Sequence, residues 1–194
     1  MKKLRELLFQ FRSYTPIPFI IIMLVFAHPT IVTMVAGLIL VLFGEFLRSW
    51  GVSYAGSLTR VTASVGAPEV IVSGPYAHMR NPLYSGNIFM YVGVGIMANA
   101  IVPWLVIGSF VYFSFQYVMI VQLEEAFLEK EFGEGYSEYK KQVPRFFPRL
   151  TAYRHSSQER QHANWIEAFH SERRTLQALG IVIVMLIVLW YAKG

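Results

Sequence analysis

Polar side chains that could bind a small molecule cluster in residues 73–86 (SGPYAHMRNPLYSG). The pair Gly74-Pro75 predicts a turn, and Asn81-Pro82 predicts the start of a helix because proline suits the first helical turn. The polar residues of this stretch are Tyr76, His78, Arg80 and Tyr84. Their tips would lie at a membrane–water boundary, where an ordinary belt of aromatic and basic residues explains the pattern as well as a binding site does.

A second stretch with acidic and aromatic side chains occupies residues 124–149 (EEAFLEKEFGEGYSEYKKQVPRFFPR). Glu124 and Glu125 directly follow an uncharged apolar run, and two carboxylates at the foot of a membrane helix are costly unless they are paired or exposed. An exposed amphipathic helix accounts for the more distant charged residues, Glu129, Glu131, Glu134 and Lys140. For Glu124, the glutamate nearest the apolar run, a functional role is favoured.

Composition excludes several other kinds of site. The chain has no cysteine, which excludes disulfides, thiolate metal sites and thiol nucleophiles, and its 12 acidic residues are all glutamate, so the usual aspartate magnesium sites are missing. Residues 93–98 match a dinucleotide-binding pattern, but they lie inside an apolar run, where close helix packing explains them better. We therefore expect no metal. The net charge of +5 favours an anionic membrane surface over nucleic acid as the partner.

The elements that must position these residues are membrane helices. The chain is 55% hydrophobic and only 15% charged, against about 25% charged in a soluble domain. A span needs about 20 apolar residues, and the apolar runs predict five spans, at about 14–27, 29–48, 83–100, 101–123 and 175–192. The first run is short, so it must borrow residues 9–14, tilt, or form a re-entrant half-helix. We predict an all-α integral membrane protein with a single domain, 1–194.

Basic residues indicate which loops share a side of the membrane. They precede the first run, separate the second from the third, and follow the fourth, so the positive-inside rule places these three regions in the cytoplasm. The N-terminus is then inside and the C-terminus outside. Two hydrophilic stretches share the cytoplasmic face: residues 51–82, expected to be irregular or short extended backbone, and residues 124–175, expected to begin as a continuation of the fourth helix.

Together the two motifs closely resemble the isoprenylcysteine carboxyl methyltransferase family and its phospholipid methyltransferase relatives. The shared pattern is roughly G-x-Y-x-x-x-R-H-P-x-Y-x-G, followed by E-E-x-x-L-x-x-x-F-G-x-x-Y-x-x-Y. The resemblance covers about residues 69–150. Asn81 stands where the family usually has histidine, and the tail 151–194 with its extra span is not matched to the eukaryotic members.

The resemblance implies a membrane enzyme that binds S-adenosylmethionine without a Rossmann domain and releases S-adenosylhomocysteine. The cofactor region would comprise about residues 69–84 and 124–150. Residues matching the family's cofactor-contacting stretch and its closing tyrosines are Tyr76, Ala77, His78, Met79, Tyr84, Tyr136 and Tyr139. Arg80 and Glu124 match polar positions essential to the site. Glu69 precedes the first motif. Its side chain could accept a hydrogen bond from the ribose hydroxyls of the cofactor, or it could simply be exposed to solvent.

Methyl transfer from a sulfonium to a carboxylate joins a cation and an anion, so it needs alignment in a dry pocket and no general base. We hypothesise that Arg80 holds a carboxylate of the acceptor or of the cofactor as a charge-assisted fork. Glu124 would neutralise Arg80 or bind the cofactor's ammonium, and Glu125 or Tyr136 could do the same. Arg145 could steer an anionic head group, although contact with lipid phosphates explains it equally well.

Other functions stay open on the sequence alone. N-methylation of a phospholipid amine needs a base, for which His78 or Glu124 is the candidate. A sterol-type reductase would need NADPH, and no site for its 2′-phosphate stands out. A transporter or scaffold would carry ionisable groups near mid-membrane, which the third and fourth runs lack. The acceptor is expected to be a lipid or a lipid-modified molecule arriving from the bilayer.

Overall fold

The computed structural model describes residues 2–56 and 69–193, and this part of the chain is helical without any strand. The six α-helices are α1 (Lys2–Gln10), α2 (Pro16–Val25), α3 (Ile31–Ala55), α4 (Pro82–Ala98), α5 (Trp104–Gln142) and α6 (Trp165–Lys193). Two 3-10 turns, Gly74–Ala77 and Ser156–Arg160, lie in the connections. The predicted all-α class is confirmed.

Within the described ranges, α3, α5 and α6 are long and apolar enough to cross a membrane, and the protein is an integral membrane protein. Helix α4 is shorter, with 17 residues, and α2 has only 10. At 1.5 Å per residue α2 is about 15 Å long, half the thickness of the hydrocarbon layer. A turn at residues 11–15 separates α2 from α1, so α2 does not borrow residues 9–14. The count of five spans stays a prediction.

Two helices extend beyond the predicted spans, because hydropathy marks where an apolar run stops and not where a helix stops. Helix α3 continues to Ala55, beyond the predicted span at 29–48, and its residues Gly51 and Val52 are buried. Residues 51–55 are therefore helical rather than irregular. The rest of that predicted irregular stretch lies at 57–68, outside the described residues, and at 69–81.

Helix α6 begins at Trp165 rather than at residue 175. The side chain of Asn164 starts it, because its Oδ1 accepts a hydrogen bond from the Glu167 main-chain N–H at 3.0 Å. This is the usual capping role of asparagine. Charged residues such as Glu167, Glu172 and Arg173 interrupt the first turns of α6, so a search for an uncharged apolar run finds only the later part of the helix.

Helices α3 and α4 pack closely along glycines. A Cβ added to Gly44 would lie 2.6 Å from the Gly86 carbonyl oxygen, and one added to Gly93 would lie 2.7 Å from that of Gly37. Only glycine allows the two backbones to come this near. The sequence assigned residues 93–98 to helix packing rather than to dinucleotide binding, and Gly93 bears this out.

Hydrogen bonds between loops distinguish the two ends of the helix bundle. The His28 N–H donates to the Ala98 carbonyl at 2.9 Å, and the Lys193 ammonium donates to the Ala27 carbonyl at 2.7 Å. The turn before α3, the end of α4 and the end of α6 therefore share one end. Both chemical motifs lie at the opposite end, where α3 finishes and α4 begins.

Helix α5 extends far beyond its apolar part, as the sequence predicts. The uncharged run ends at Leu123, and the helix continues to Gln142. Gly133 interrupts it with a φ of 55°, a conformation that glycine adopts without strain. Beyond this kink, Tyr136 and Tyr139 are buried.

We expect Gly44→Ala to lower the free energy of unfolding by about 1–3 kcal/mol, because the added methyl group would overlap the α4 backbone. The matched control is Gly108→Ala in α5, where a Cβ meets nothing within 4 Å. That change should leave stability unchanged or raise it by up to about 1 kcal/mol. Thermal unfolding in detergent measures both, and equal stability of the two variants would contradict the close packing.

Candidate functional site

A cavity of about 970 Å³ lies at the end of the bundle where the two motifs meet. Its polar wall includes eight of the residues that the sequence singled out: Glu69, Tyr76, Arg80, Tyr84, Glu124, Glu125, Tyr136 and Tyr139. The cavity continues into an apolar part between α2, α4 and α6. A volume of this size is at the upper end for small-molecule sites.

The Glu125 carboxylate joins both motifs. Its Oε1 accepts hydrogen bonds from Arg80 Nη2 at 2.7 Å and Arg80 Nε at 3.2 Å. Its Oε2 accepts one from Arg145 Nη2 at 2.6 Å. Burial by itself would raise the pKa of the Glu125 carboxyl, but the hydrogen bonds from the two guanidiniums outweigh burial, and the pKa lies below its usual value. Glu125 is therefore a permanent anion of the site.

Arg80 is also bound to the main chain at the end of α5. Its Nη1 donates to the carbonyl oxygens of Lys140 at 2.8 Å and Val143 at 2.5 Å. With Glu125 accepting from Nε and Nη2, all three nitrogens of the guanidinium are engaged. Arg80 thus connects the segment before α4 to both ends of the polar part of α5.

Glu124 differs from its neighbour although both are glutamates next to each other in the chain. Its Oε1 accepts a hydrogen bond from the Tyr84 hydroxyl at 2.7 Å. Burial raises the pKa of the Glu124 carboxyl to about 7, and the Tyr84 hydrogen bond only partly opposes this. Glu124 can therefore gain or lose a proton near neutral pH, which Glu125 cannot.

Residues 143–149, called here the closing segment, pack along the first motif. The Arg80 N–H donates to the Pro144 carbonyl at 2.9 Å, and the Arg149 N–H donates to the His78 carbonyl at 3.0 Å. The Asn81 amide nitrogen Nδ2 donates to the Arg145 carbonyl at 3.1 Å. Asn81, which stands where the family usually has histidine, therefore ties the closing segment to the start of α4.

Four of the predicted site residues lie away from the cavity wall: Ala77, His78, Met79 and Arg145. Ala77 and Met79 are buried. The His78 Nδ1 donates to the Arg149 carbonyl at 2.9 Å. Arg145 reaches the site only through Glu125. These four residues lie behind the wall. Tyr76 lies in the wall itself, and its main-chain carbonyl accepts a hydrogen bond of 2.7 Å from the Tyr139 hydroxyl.

The sequence did not identify several polar residues that line the same cavity: Arg12, Arg48, Asn87, Glu172 and Arg174. Arg48 and Glu172 form a buried ion pair at 2.7 Å between α3 and α6. Arg48 Nη1 also donates to Asn87 Oδ1, and Asn87 Nδ2 donates to the Tyr117 hydroxyl at 3.0 Å. The available signal was a charge at the edge of an apolar run: Arg48 lies at the end of one run, and Glu172 lies just before another.

In the described ranges, no group of three or more His, Cys, Asp or Glu residues is arranged to hold a metal ion.

The family model for phospholipid methyltransferase matches residues 32–135, more than half of the chain. Over 88 residues the chain is 35% identical to the cobalt-zinc-cadmium resistance protein CzcN of Cupriavidus metallidurans, and the match covers 45% of this chain and 39% of that protein. No solved structure matches the chain significantly.

Two further relatives carry the name protein-S-isoprenylcysteine O-methyltransferase. The Xenopus laevis protein is 35% identical over 121 residues, and the Homo sapiens protein is 33% identical over 117 residues. Each match covers 59% of this chain and 40% of the relative, so the chain spans well under half the length of these relatives. The family-model match contains the whole first motif and the start of the second. The chain therefore belongs to the phospholipid methyltransferase family, which the two motifs had predicted.

Proposed function

We propose that this protein transfers a methyl group from S-adenosylmethionine to the carboxylate of a lipid-linked acceptor at the membrane–cytoplasm interface. The observation that carries the proposal is one continuous cavity with two chemically different parts. The two family motifs build its polar part, and α2, α4 and α6 build its apolar part. Relatives named isoprenylcysteine O-methyltransferases support the choice of a carboxylate acceptor.

The side chains of the polar part suit the chemical groups of the cofactor. Tyr76, Tyr136 and Tyr139 provide aromatic surface for the adenine ring, and Glu124 is a carboxylate that could pair with the amino group of the methionine moiety. Glu69 lies in the same wall, and its carboxylate could accept hydrogen bonds from the ribose hydroxyls. When bound, the cofactor would supply an electrophilic methyl group on a sulfonium.

The apolar part suits the hydrocarbon portion of the acceptor. It is lined by Ile17, Ile20 and Met23 of α2, by Val94 of α4 and by Val182 of α6. A lipid chain placed there would lie beside the polar part, so its reactive head would face the cofactor region. Burial of both reactants excludes water, which accelerates the union of an anion with a cation.

We propose that Arg80 holds the site together rather than gripping the acceptor. A fork on a substrate carboxylate would require Arg80 to exchange hydrogen bonds that it already makes to Glu125 and to two carbonyls. In its present position, Arg80 neutralises Glu125 and fixes the distance between the two motifs. Glu124 is left as the carboxylate available to a cationic ligand.

N-methylation of a lipid amine is the second candidate, and one observation favours it. An amine acceptor must lose a proton, and of the two bases considered, only Glu124 lines the cavity. Its pKa of about 7 would suit it to accept that proton near neutral pH.

The first test is equilibrium binding. Purified protein in detergent should bind S-adenosylhomocysteine in a calorimetric titration, and NADPH at the same concentrations should give no heat of binding. Binding of NADPH alone would support the reductase alternative, and absence of binding to both S-adenosylmethionine and its product would refute the proposed function.

The second test concerns Arg80. Arg80→Ala and Arg80→Lys should both lower methyl transfer to an S-prenylated cysteine by about 100-fold or more. Loss of the guanidinium removes its hydrogen bonds to Glu125 and to the Lys140 and Val143 carbonyls, which join the two motifs. An ammonium cannot reproduce the contacts of a planar guanidinium. Arg173→Lys, on an exposed residue outside the cavity wall, is the control and should be fully active. A fully active Arg80→Lys variant would contradict the assigned role.

The third test separates the two acceptors by pH. With saturating cofactor and a carboxylate acceptor, kcat should stay level between pH 6 and 8.5, because no proton is removed. An amine acceptor requires ionised Glu124, so kcat would rise with pH through a midpoint near pH 7 and level off about one unit above it. In that case Glu124→Gln would abolish both the rise and most of the activity. Initial rates across this range decide between the two.

A further inference from the structure

The chain returns to the first motif after the part that the family model matches. That match ends at residue 135. Residues 153–164, called here the strap, connect the closing segment to α6 and run along residues 70–77. The strap begins where the Tyr153 N–H donates to the Ala77 carbonyl at 2.9 Å and ends where the Asn164 N–H donates to the Ser53 carbonyl at 2.7 Å.

Gln161 makes the most specific contact of the strap. Its side chain is buried, with 7% of the residue exposed. Oε1 accepts a hydrogen bond from the Val72 N–H at 2.9 Å, and Nε2 donates to the Val70 carbonyl at 2.9 Å. The amide therefore binds the main chain of residues 70–72 as a neighbouring β-strand would, with one donor and one acceptor.

Gln158 completes this arrangement on the other side of Val72. Its Nε2 donates to the Val72 carbonyl at 2.9 Å and to the Tyr153 carbonyl at 2.8 Å. The main chain of Val72 is thus held at both its N–H and its carbonyl by side chains of the strap. An unpaired buried main-chain group is costly, so these two glutamines satisfy groups that no regular element of the described chain satisfies.

The residues held in this way form part of the cavity wall. Glu69, Val70 and Ile71 line the polar part, followed by Tyr76. We infer that Gln161 is a positioning residue for the cofactor: through the main chain of residues 70–72 it sets where Glu69 and this wall lie. The inference rests on the proposed function, and it assigns a role to a tail that lies beyond the family match.

Gln161 should affect one ligand and not the other. The hydrogen bonds of its side chain go to the main chain of residues 70–72, on the polar side of the cavity, whereas the apolar part is built by α2, α4 and α6. Loss of the amide would therefore weaken cofactor binding and leave acceptor binding nearly unchanged. A residue that only stabilised the fold would affect both alike.

The experiment compares Gln161→Ala and Gln161→Glu with the wild-type protein. Both variants should raise the Kd for S-adenosylhomocysteine and the KM for S-adenosylmethionine by about tenfold. The glutamate fails because it keeps an acceptor for Val72 but places an oxygen against the Val70 carbonyl. The KM for an S-prenylated cysteine and kcat at saturating cofactor should change less than about twofold. Gln177→Ala, on an exposed residue of α6, is the control and should match the wild type.

Wild-type affinity for S-adenosylhomocysteine in Gln161→Ala, or an equal rise in both KM values, would overturn the inference. Failure of the wild-type protein itself to bind the nucleoside would instead refute the proposed function.

A second measurement needs no variant. Because coupling between two sites is reciprocal, S-adenosylhomocysteine should slow trypsin cleavage at the exposed residues Arg154 and Arg160 of the strap. A cleavage rate that the nucleoside leaves unchanged would count against the inference even if the variants do not fold.

Discussion

The carboxylate of Glu125 lies between the guanidiniums of Arg80 and Arg145, with only 4% of the residue exposed. These three residues come from the segment before α4, from α5 and from the closing segment. A buried charge without partners is expensive, so removal of Glu125 would leave two guanidiniums without their shared carboxylate. The rest of the site depends on this cluster, because it fixes the distance between the two motifs that form the polar wall.

Close backbone packing brings the other helices into range. The glycines of α3 and α4 allow these helices to approach until Arg48 on one and Asn87 on the other are hydrogen-bonded. Glu172 on α6 then pairs with Arg48. These three residues all line the cavity, so α6 belongs to the same unit as the family motifs.

The motifs allowed most of the polar wall to be predicted. Tyr76, Tyr84, Glu124 and the two later tyrosines were implied by the resemblance to the family's motifs, and the structure gathers them around one cavity. His78 came from the same stretch, yet it lies behind the wall. In a compact turn such as 74–77, adjacent residues point in different directions, and a motif read as letters does not show which of them faces inward. The hydrogen bonds of Arg80 to main-chain carbonyls could not be predicted from the sequence either, because every residue type has a main-chain carbonyl.

By itself the sequence determined the helical class, the apolar runs and the family, because each depends on local composition or on a contiguous motif. Only the tertiary structure decided that Gln161 binds residues 70 and 72, that Glu172 meets Arg48, and that Glu124 and Glu125 have opposite electrostatic surroundings. Those outcomes depend on partners up to 124 positions apart in the chain. Burial and charge pairing are properties of a folded site, so two identical neighbouring glutamates acquire different chemistry only when the chain has folded around them.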